Sequence, residues 1–374
     1  MRKSFVYGKS VEGENFTDRV KETHHLRENF LHGLNTIIIS PRRLGKTSLV
    51  KRVKQSIDDP KVKVIFMDIY DCRSEYDFLN RFASLILKET ADSSERIVNN
   101  IKEFLVRLTP KLSFNVDPYN EISVSLGITP KNYTPEEILN LPEIIAQKKG
   151  IDIVVCIDEF QQVGEFPDSL GVQKRMRSVW QHQQNVSYCL FGSKKHMMVN
   201  IFQNKRMPFY QFGDTIMLGK ISREDWVDFI VSRFEREGKR ISAEFAVSIC
   251  DKVECYSSYV QQLAGNVLVE TENEVTEESF EAGCNTLFEQ NSALFESQIA
   301  ELTSHQMNFL RAVCAGVSSE FASKEISDEY NFGTKSNIAR LKSALIKKEL
   351  IDIEGRHIVI SDPVFKMWFL RNYR

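Results

Sequence analysis

A strand-like run, a loop and a helix-like run follow one another near the N-terminal end of the chain. Thr36 to Ile39 is a β-branched run of strand length, and from Ser48 onward the apolar residues take a helical spacing. The loop between them ends in Gly45-Lys46-Thr47. A strand, a loop with this tripeptide and a helix N-terminus, in that order, form an arrangement that holds nucleotide phosphates. The segment therefore predicts a phosphate-binding loop in a parallel α/β sheet.

The residue types of this loop suit the chemistry of a nucleotide site. Successive backbone N–H groups and the helix dipole surround the phosphates, Lys46 reaches the β- and γ-phosphate oxygens, and Thr47 ligates Mg²⁺. Ser40 stands where the pattern GxxxxGK[ST] has its first glycine, which adopts a tight-turn backbone more freely than serine does. The loop residues expected to bind the nucleotide are Ser40, Pro41, Arg42, Arg43, Leu44, Gly45, Lys46, Thr47 and Ser48.

Two acidic residues follow a second apolar run, Ile151 to Ile157. Such a run predicts a strand that is buried on both faces of a parallel sheet, and ligands bind at the C-terminal edge of such sheets. We expect Asp158 to hold Mg²⁺ together with Thr47, and Glu159 to orient and activate the attacking water. Glu159 and Lys46 are therefore the predicted catalytic residues.

The nucleotide is expected to be ATP rather than GTP. A guanine-reading NKxD pattern is absent, since Asn204-Lys205 is followed by Arg206-Met207, and the glutamate next to an aspartate fits a hydrolytic ATPase. The ATPase core is expected at residues 1–219, with an inserted helix and hairpin at about 91–133.

Two further runs, Val62 to Asp68 and Val186 to Phe191, extend the predicted sheet. Ser193 follows the second of these runs. A polar side chain that leaves a central strand beside the γ-phosphate can sense hydrolysis, so Ser193 is a candidate nucleotide contact. The alternative is an ordinary cap for the helix that begins at Lys194.

Composition narrows the function classes. The chain has 49 Lys+Arg and 51 Asp+Glu, a net charge of −2, which excludes nucleic-acid binding driven by bulk charge. Its apolar runs are shorter than the roughly 18 residues that a membrane-spanning helix needs. Seven scattered cysteines without a CxxC pair are typical of reduced core thiols. We therefore expect a soluble, cytoplasmic protein with no membrane partner.

Residues 220–298 are predicted to form a small helical lid. Ser222 with Asp225 resembles a capping box at the start of its first helix. Between Lys220 and Ala300 there are 16 acidic residues and seven basic ones. This excess predicts a solvated acidic face that repels nucleic acid.

Residues 299–374 are predicted to form a winged helix-turn-helix. Three helices are expected at Gln306 to Ala315, Ser323 to Tyr330 and Thr334 to Lys348, followed by a wing with strands at Leu350 to Ile353 and His357 to Ile360.

The third helix of this segment has two distinct faces. Ile338, Leu341 and Leu345 are expected to face inward. The outer face mixes small polar and basic residues, which suits a recognition helix in a DNA major groove. The candidate DNA contacts are Ser336, Arg340, Ser343 and Lys347 on the helix and Arg356 in the wing. A protein-docking surface and a merely solvated helix face are the alternatives, because residues 301–374 carry only a small positive excess.

These residues together resemble the archaeal-type and bacterial AAA+-like P-loop ATPases of the signal-transduction (STAND) group. The matching segments are Phe16-Thr17-Asp18-Arg19 with Glu22, PRRLGKTSL at the loop, VCIDEF at the acidic pair, Phe191-Gly192-Ser193, Pro208-Phe209-Tyr210, and Asp362-Pro363-Val364-Phe365 with Trp368. The resemblance implies that Phe16 and Arg19 flank the adenine. The alternative for this segment is a helix start that is capped by Thr17 or Asp18.

Besides Ser40, two further sites depart from the family pattern. Gln211 stands where relatives often have a basic residue. Arg206 is the nearest substitute for an arginine that one subunit supplies to another, and the favoured alternative is that Arg206 is an ordinary surface arginine. Ser257-Ser258 stands where relatives often place a Gly-x-Pro that touches the nucleotide from the lid. An oligomer that shares its active sites is therefore left open.

The predicted fold is an α/β P-loop NTPase core of the AAA+-like type with a helical lid and a C-terminal winged helix. The expected activity is Mg²⁺-dependent hydrolysis of ATP to ADP and phosphate, slow without a partner, which switches the protein's binding to DNA or to a protein partner. Two alternatives are an ATP-controlled DNA-binding regulator and a nucleotide-binding signalling scaffold that barely hydrolyses ATP.

Overall fold

The computed structural model describes residues 4–91 and 134–373, which group into two compact units. The first unit is Arg19–Gly219, and the second joins residues 4–18 to residues 220–373. Each unit has its own apolar core.

The first unit is a parallel α/β sheet with helices on its faces. Its elements in chain order are α1 (Val20–Leu31), β1 (Thr36–Ile39), α2 (Lys46–Ser56), β2 (Val62–Asp68), α3 (Glu75–Thr90), α4 (Pro135–Leu139), α5 (Leu141–Lys149), β3 (Asp152–Asp158), α6 (Ser169–Trp180), β4 (Val186–Gly192), α7 (Lys195–Gln203) and β5 (Asp214–Met217). The helix and hairpin predicted at about 91–133 lie, from residue 92 onward, outside the described residues.

Within the described residues the sheet has five strands, all parallel, in the order β2-β3-β4-β1-β5. The strands at Thr36–Ile39 and Val62–Asp68 have the predicted bounds, and the strand ahead of the acidic pair forms at Asp152–Asp158. Because β3, β4 and β1 are neighbours, the segments that follow them leave the sheet side by side at its C-terminal edge. This order brings the acidic pair, Ser193 and the phosphate loop to one place.

Strand side chains alternate between the two faces of the sheet. Ile37 and Ile39 of β1 join an apolar cluster that includes Phe82 of α3 and Trp180 of α6. Ile38 lies between them, is fully buried and stays outside that cluster, so it faces the opposite side. Both faces of the central strands are therefore covered, which explains their nearly continuous apolar sequences.

The second unit is helical apart from a two-stranded antiparallel wing. Its elements are α8 (Arg223–Arg236), α9 (Ala243–Lys252), α10 (Ser257–Glu270), α11 (Glu277–Ala300), α12 (Ser304–Cys314), α13 (Lys324–Tyr330), α14 (Lys335–Lys347), β6 (Ile351–Glu354), β7 (His357–Ile360) and α15 (Pro363–Asn372). A single apolar cluster runs through the lid helices and the winged helix. Ser222 caps α8 by accepting the Asp225 N–H, as predicted.

Residues 4–18 differ from the expectation that they belong with the core at 1–219. The ring of Phe5 packs edge-on against the rings of Phe229 and Phe234, with distances between ring centroids of 6.1 Å and 6.0 Å respectively. The Val6 N–H donates to Gln261 Oε1 at 2.8 Å. Apolar burial and a satisfied buried N–H thus attach this segment to the lid helices.

The winged helix forms close to its predicted bounds, with two differences. α11 continues to Ala300, so the last lid helix passes the expected boundary at residue 298. The sequence prediction also omitted α15, which Asp362 caps by accepting the N–H groups of Val364 and Phe365. The segment Asp362 to Phe365 that matched the family pattern is therefore a helix start.

Two further observations on the described residues concern the cysteines and the apolar character of the helices. All seven cysteines are free; six are buried and Cys255 is half-buried. Across residues 4–91 and 134–373, none of the helices combines the length and the apolar character that crossing a bilayer requires.

Candidate functional site

The phosphate loop turns from β1 into α2 through two residues with left-handed backbone. Arg43 has a φ of 66° and Gly45 a φ of 89°. Ser40 is not among the described residues with positive φ, so the backbone there does not require glycine. Gly45 is the N-cap of α2 and no side chain caps that helix, although its first N–H groups have no acceptor within the helix. These N–H groups suit a phosphate ligand.

Lys46 points back into the loop. Its side chain is buried, and Nζ donates to Pro41 O at 3.0 Å and to Ser40 O at 3.4 Å. Burial lowers the pKa of Lys46 to about 8, although the carboxylates of Glu159 and Asp158 act in the opposite direction. The loop carbonyls compensate the charge of this buried cation only in part, so the site favours an anionic ligand.

Thr47 and Asp158 meet across the site. Thr47 Oγ1 donates to Asp158 Oδ2 at 2.7 Å, and Asp158 Oδ1 accepts the Glu159 N–H at 2.9 Å. Burial raises the pKa of Asp158 to about 6, and the nearby Glu159 carboxylate adds to this shift. A hydroxyl and a carboxylate are hard oxygen donors of the kind that Mg²⁺ prefers. The residues present therefore fit a magnesium ion.

Glu159 is held by a small hydrogen-bond network. It has a φ of 57° and begins a short 3₁₀ turn at Phe160–Glu165. Its Oε2 accepts from Ser193 Oγ at 2.8 Å and also from Gln161 Nε2. The carboxylate of the predicted catalytic base is thus oriented by two donors from different segments.

Ser193 does not cap the helix that follows it. The N-cap of α7 is Lys194, without a side-chain cap hydrogen bond, so the alternative of an ordinary cap is wrong. Ser193 Oγ instead donates to Glu159 and accepts from Arg42 Nε at 3.3 Å. The structure brings the loop, the acidic pair and Ser193 together; the nucleotide contact of Ser193 stays a prediction.

Gln161 was missed by the sequence prediction, which named Gly192 only as part of the matching segment Phe191-Gly192-Ser193. Gln161 is 2% exposed, and its Oε1 is buried without a hydrogen-bond partner. A Cβ at Gly192 would lie 1.8 Å from this oxygen, so any larger residue there would displace Gln161. The glycine directly before Ser193 was the signal that could have indicated this close approach.

Arg19 contacts the backbone of the phosphate loop. Its side chain is buried, and NH2 donates to Leu44 O at 3.2 Å and to Gly219 O at 2.6 Å. Arg19 itself is the N-cap of α1, without a side-chain cap, so the alternative that Thr17 or Asp18 caps this helix is wrong. The expectation that Arg19 flanks an adenine stays a prediction.

Phe16 belongs to the other unit, where it is half-buried after a short 3₁₀ turn at Gly13–Asn15. Its expected role beside the adenine stays a prediction. In the same unit, Ser257 opens α10, and its Oγ is buried without a hydrogen-bond partner. In the first unit, Arg206 and Gln211 are both exposed.

The predicted outer face of α14 is exposed to solvent. Ser336, Arg340, Ser343 and Lys347 are exposed, as is Arg356 in the turn of the wing. On the opposite side of the helix, Ile338, Leu341 and Leu345 are buried in the cluster of the second unit. The helix therefore has the two faces that the sequence predicted.

A family model matches the C-terminal segment of the chain. Residues 293–371 match a family model described as "Probable winged helix domain". No curated protein matches the chain.

Two solved structures are similar to nearly the whole chain. The Walker-type ATPase of Pyrococcus abyssi has a TM-score of 0.71 at 16% identity, covering 98% of this chain and 99% of that chain. The ORC2 protein of Aeropyrum pernix, in ADPNP-ADP complexes, has a TM-score of 0.58 at 15% identity, covering 99% of this chain and 96% of that chain. The chain therefore has the fold of an AAA+ P-loop ATPase with a C-terminal winged helix. Membership of the STAND group stays a prediction.

Proposed function

We propose that this protein binds ATP with Mg²⁺ and hydrolyses it to ADP and phosphate. The observation that carries the proposal is the 2.7 Å hydrogen bond between Thr47 and Asp158. This bond joins the phosphate loop after β1 to the acidic end of β3, across the intervening strand β4. Glu159, the proposed base, directly follows Asp158 in the chain. A magnesium ion and an attacking water are needed at this place.

The residues of the site have separate roles in the proposed reaction. Lys46 and the first N–H groups of α2 bind the β- and γ-phosphates, and Thr47 and Asp158 hold Mg²⁺, which when bound neutralises phosphate charge. Glu159 accepts a proton from water as the water oxygen bonds to the γ-phosphorus and the bond from that phosphorus to the ADP oxygen breaks. The proton then passes to solvent, leaving ADP and inorganic phosphate.

The two similar structures support the proposal of ATP binding and hydrolysis. One is called a Walker-type ATPase, and the other was solved with ADPNP and ADP. We further propose that nucleotide state switches the binding of a DNA or protein partner and that turnover is slow without that partner.

Two substitutions test the nucleotide chemistry. Lys46→Ala is expected to abolish binding of a fluorescent ADP analogue, whereas Glu159→Gln is expected to bind ATP and release phosphate at least about 100-fold more slowly. Lys54→Ala, on the same helix as Lys46, is the control for removal of one lysine. Normal phosphate release by Glu159→Gln would contradict the assignment of the base. Wild-type protein that binds ATP without measurable release would favour the scaffold alternative.

DNA binding by the winged helix is the second candidate function. The observation that favours it is the exposed polar and basic face of α14 together with the exposed Arg356 of the wing. A recognition helix and a wing contact DNA in this way, through base edges and phosphates respectively.

A fluorescence anisotropy titration with duplex DNA at two salt concentrations tests this candidate. Arg340→Ala combined with Lys347→Ala should weaken binding and reduce its salt dependence, because fewer counterions are released. Lys324→Ala, which removes an exposed charge from α13, is the control. If wild-type protein does not bind DNA even at low salt, the candidate fails and a protein partner is favoured.

A further inference from the structure

Arg42 connects the phosphate loop to the end of β4. Its Nε donates to Ser193 Oγ at 3.3 Å, and Ser193 Oγ donates to Glu159 Oε2 at 2.8 Å. The loop arginine, the polar residue after β4 and the proposed base therefore form one continuous chain of contacts. Glu159 is the residue proposed to activate the attacking water, so under that proposal these contacts bring Arg42 close to the reacting γ-phosphate.

A guanidinium suits this position. It is planar, always charged and carries five N–H donors, so it can contact Ser193 and phosphate oxygens at the same time. The Arg42 side chain is exposed, so it is not committed to the apolar core. In phosphoryl transfer, negative charge on the equatorial oxygens of the transferred group is stabilised by such a cation, which can come from the same chain or from another one.

The alternative to Arg42 is an arginine supplied by a second subunit, for which Gln211 and Arg206 are the relevant positions. Gln211 is uncharged, and Arg206 is an exposed residue whose N–H donates to the side chain of Asn204 in the same turn. Arg42 contacts Ser193, which in turn contacts the proposed base Glu159, within a single chain.

We propose that Arg42 is a catalytic residue that binds the transferred phosphoryl group in cis, so that ATP hydrolysis requires no arginine from a second copy of the chain. The proposal rests on the proposed function, because it assigns a further role in the same reaction. Arg42 contributes its positive charge where the γ-phosphoryl group leaves ADP, and Ser193 holds the guanidinium beside Glu159.

The first test separates nucleotide binding from stabilisation of the transition state. Arg42→Ala is expected to bind a fluorescent ADP analogue within about threefold of wild type but to release phosphate at least about 100-fold more slowly. It is also expected to lose the tight complex that wild type forms with ADP, Mg²⁺ and aluminium fluoride. Added guanidinium ion should restore part of the activity of Arg42→Ala, whereas Arg42→Lys should retain an intermediate rate.

The second test asks whether the arginine acts in cis. Phosphate release per molecule should stay constant when the wild-type concentration rises about 100-fold, and Arg206→Ala should keep wild-type turnover. Turnover that rises with protein concentration, or a loss of activity in Arg206→Ala, would overturn the proposal in favour of an arginine supplied in trans.

The outcomes also separate this proposal from the proposed function. If wild type binds ADP but neither releases phosphate nor forms the aluminium fluoride complex, the ATPase reading fails and the role of Arg42 fails with it. If wild type does both and Arg42→Ala does both equally well, only the role of Arg42 is overturned.

Discussion

Ser193 Oγ donates a hydrogen bond of 2.8 Å to Glu159 Oε2, which links the ends of two neighbouring strands. Glu159 follows β3 and Ser193 follows β4, so the parallel pairing of these strands brings the two side chains together. A donor on one carboxylate oxygen fixes the direction of the other oxygen. The contact therefore orients the proposed base before any substrate is bound.

Ser193→Ala is expected to slow phosphate release by about 10- to 100-fold and to leave the affinity for ADP within about twofold of wild type. The physical reason is that Glu159 loses a donor that orients it, whereas Lys46 and the helix N-terminus still bind the phosphates. Steady-state phosphate release and titration of a fluorescent ADP analogue measure the two quantities.

Ser187→Ala is the matched control for that prediction. Ser187 lies on β4, the strand that Ser193 follows, and its buried hydroxyl has no hydrogen-bond partner, so the same chemical change removes no hydrogen bond. Equal effects of the two substitutions would mean that the Ser193 contact does not orient the base.

Lys46→Met should raise the free energy of unfolding of the nucleotide-free protein by roughly 1–3 kcal/mol at pH 7, while it abolishes nucleotide binding. Burial lowers the pKa of Lys46 from 10.5 to about 8 in the folded protein. Below pH 8 the lysine is charged in both the folded and the unfolded state, and folding then pays the full desolvation cost. Chemical denaturation of both proteins at pH 7 measures the difference.

The pH dependence provides the check on that stability gain. Between pH 8 and 10.5 the folded state increasingly holds the neutral amine, so the cost to wild type disappears over that range. The advantage of Lys46→Met should therefore shrink as the pH rises from 8 toward 10.5. An advantage that is the same at pH 7 and pH 10 would show that packing, not charge, is its cause.

Mg²⁺-dependent nucleotide binding is expected to weaken by up to about tenfold per pH unit below pH 6, because a metal ligand must be deprotonated. Burial raises the pKa of Asp158 from 3.8 to about 6, so the carboxylate becomes protonated below that pH. Titration of a fluorescent ATP analogue with and without Mg²⁺, from pH 5 to pH 8, measures the effect. Asp158→Asn supplies the baseline, since its Mg²⁺-dependent binding should be weak and should lack this pH step.

Patterns within one segment predicted much of the fold. The apolar run Thr36–Ile39 and the helix after it form as expected, because a buried strand and an amphipathic helix depend on local residue spacing. The attachment of the N-terminal segment to the lid was not predictable in this way. Val6 and Gln261 are 255 positions apart, and no local spacing encodes their hydrogen bond.

Part of the candidate site was also predictable from the sequence. Lys46, Thr47 and Asp158 could be placed together, because the C-terminal ends of all strands in one parallel sheet lie at the same edge. Gln161 could not, since its contact with Glu159 depends on the turn after β3, where Glu159 takes a φ of 57°. A glutamine two residues beyond a strand has no sequence signature for such a contact.

Asp362→Ala is expected to lower the free energy of unfolding of the second unit by roughly 2–4 kcal/mol. Asp362 Oδ1 accepts the N–H groups of Val364 at 2.9 Å and Phe365 at 3.1 Å, and Oδ2 accepts the Tyr259 hydroxyl at 2.6 Å. The substitution thus removes the cap of α15 and its tie to lid helix α10 together. Denaturant unfolding measures the loss, and Asp328→Ala, at an exposed position on α13, should change stability by less than about 0.5 kcal/mol.

A double-mutant cycle separates the two roles of Asp362. Tyr259→Phe alone should cost about 1–2 kcal/mol, since it removes the bond to Asp362 but keeps the cap. Tyr259→Phe combined with Asp362→Ala should be less destabilising than the sum of the two single changes, because both remove the same hydrogen bond. Strictly additive losses would mean that this bond does not stabilise the unit. The Asp-Pro-Val-Phe segment would then act through its helix cap alone.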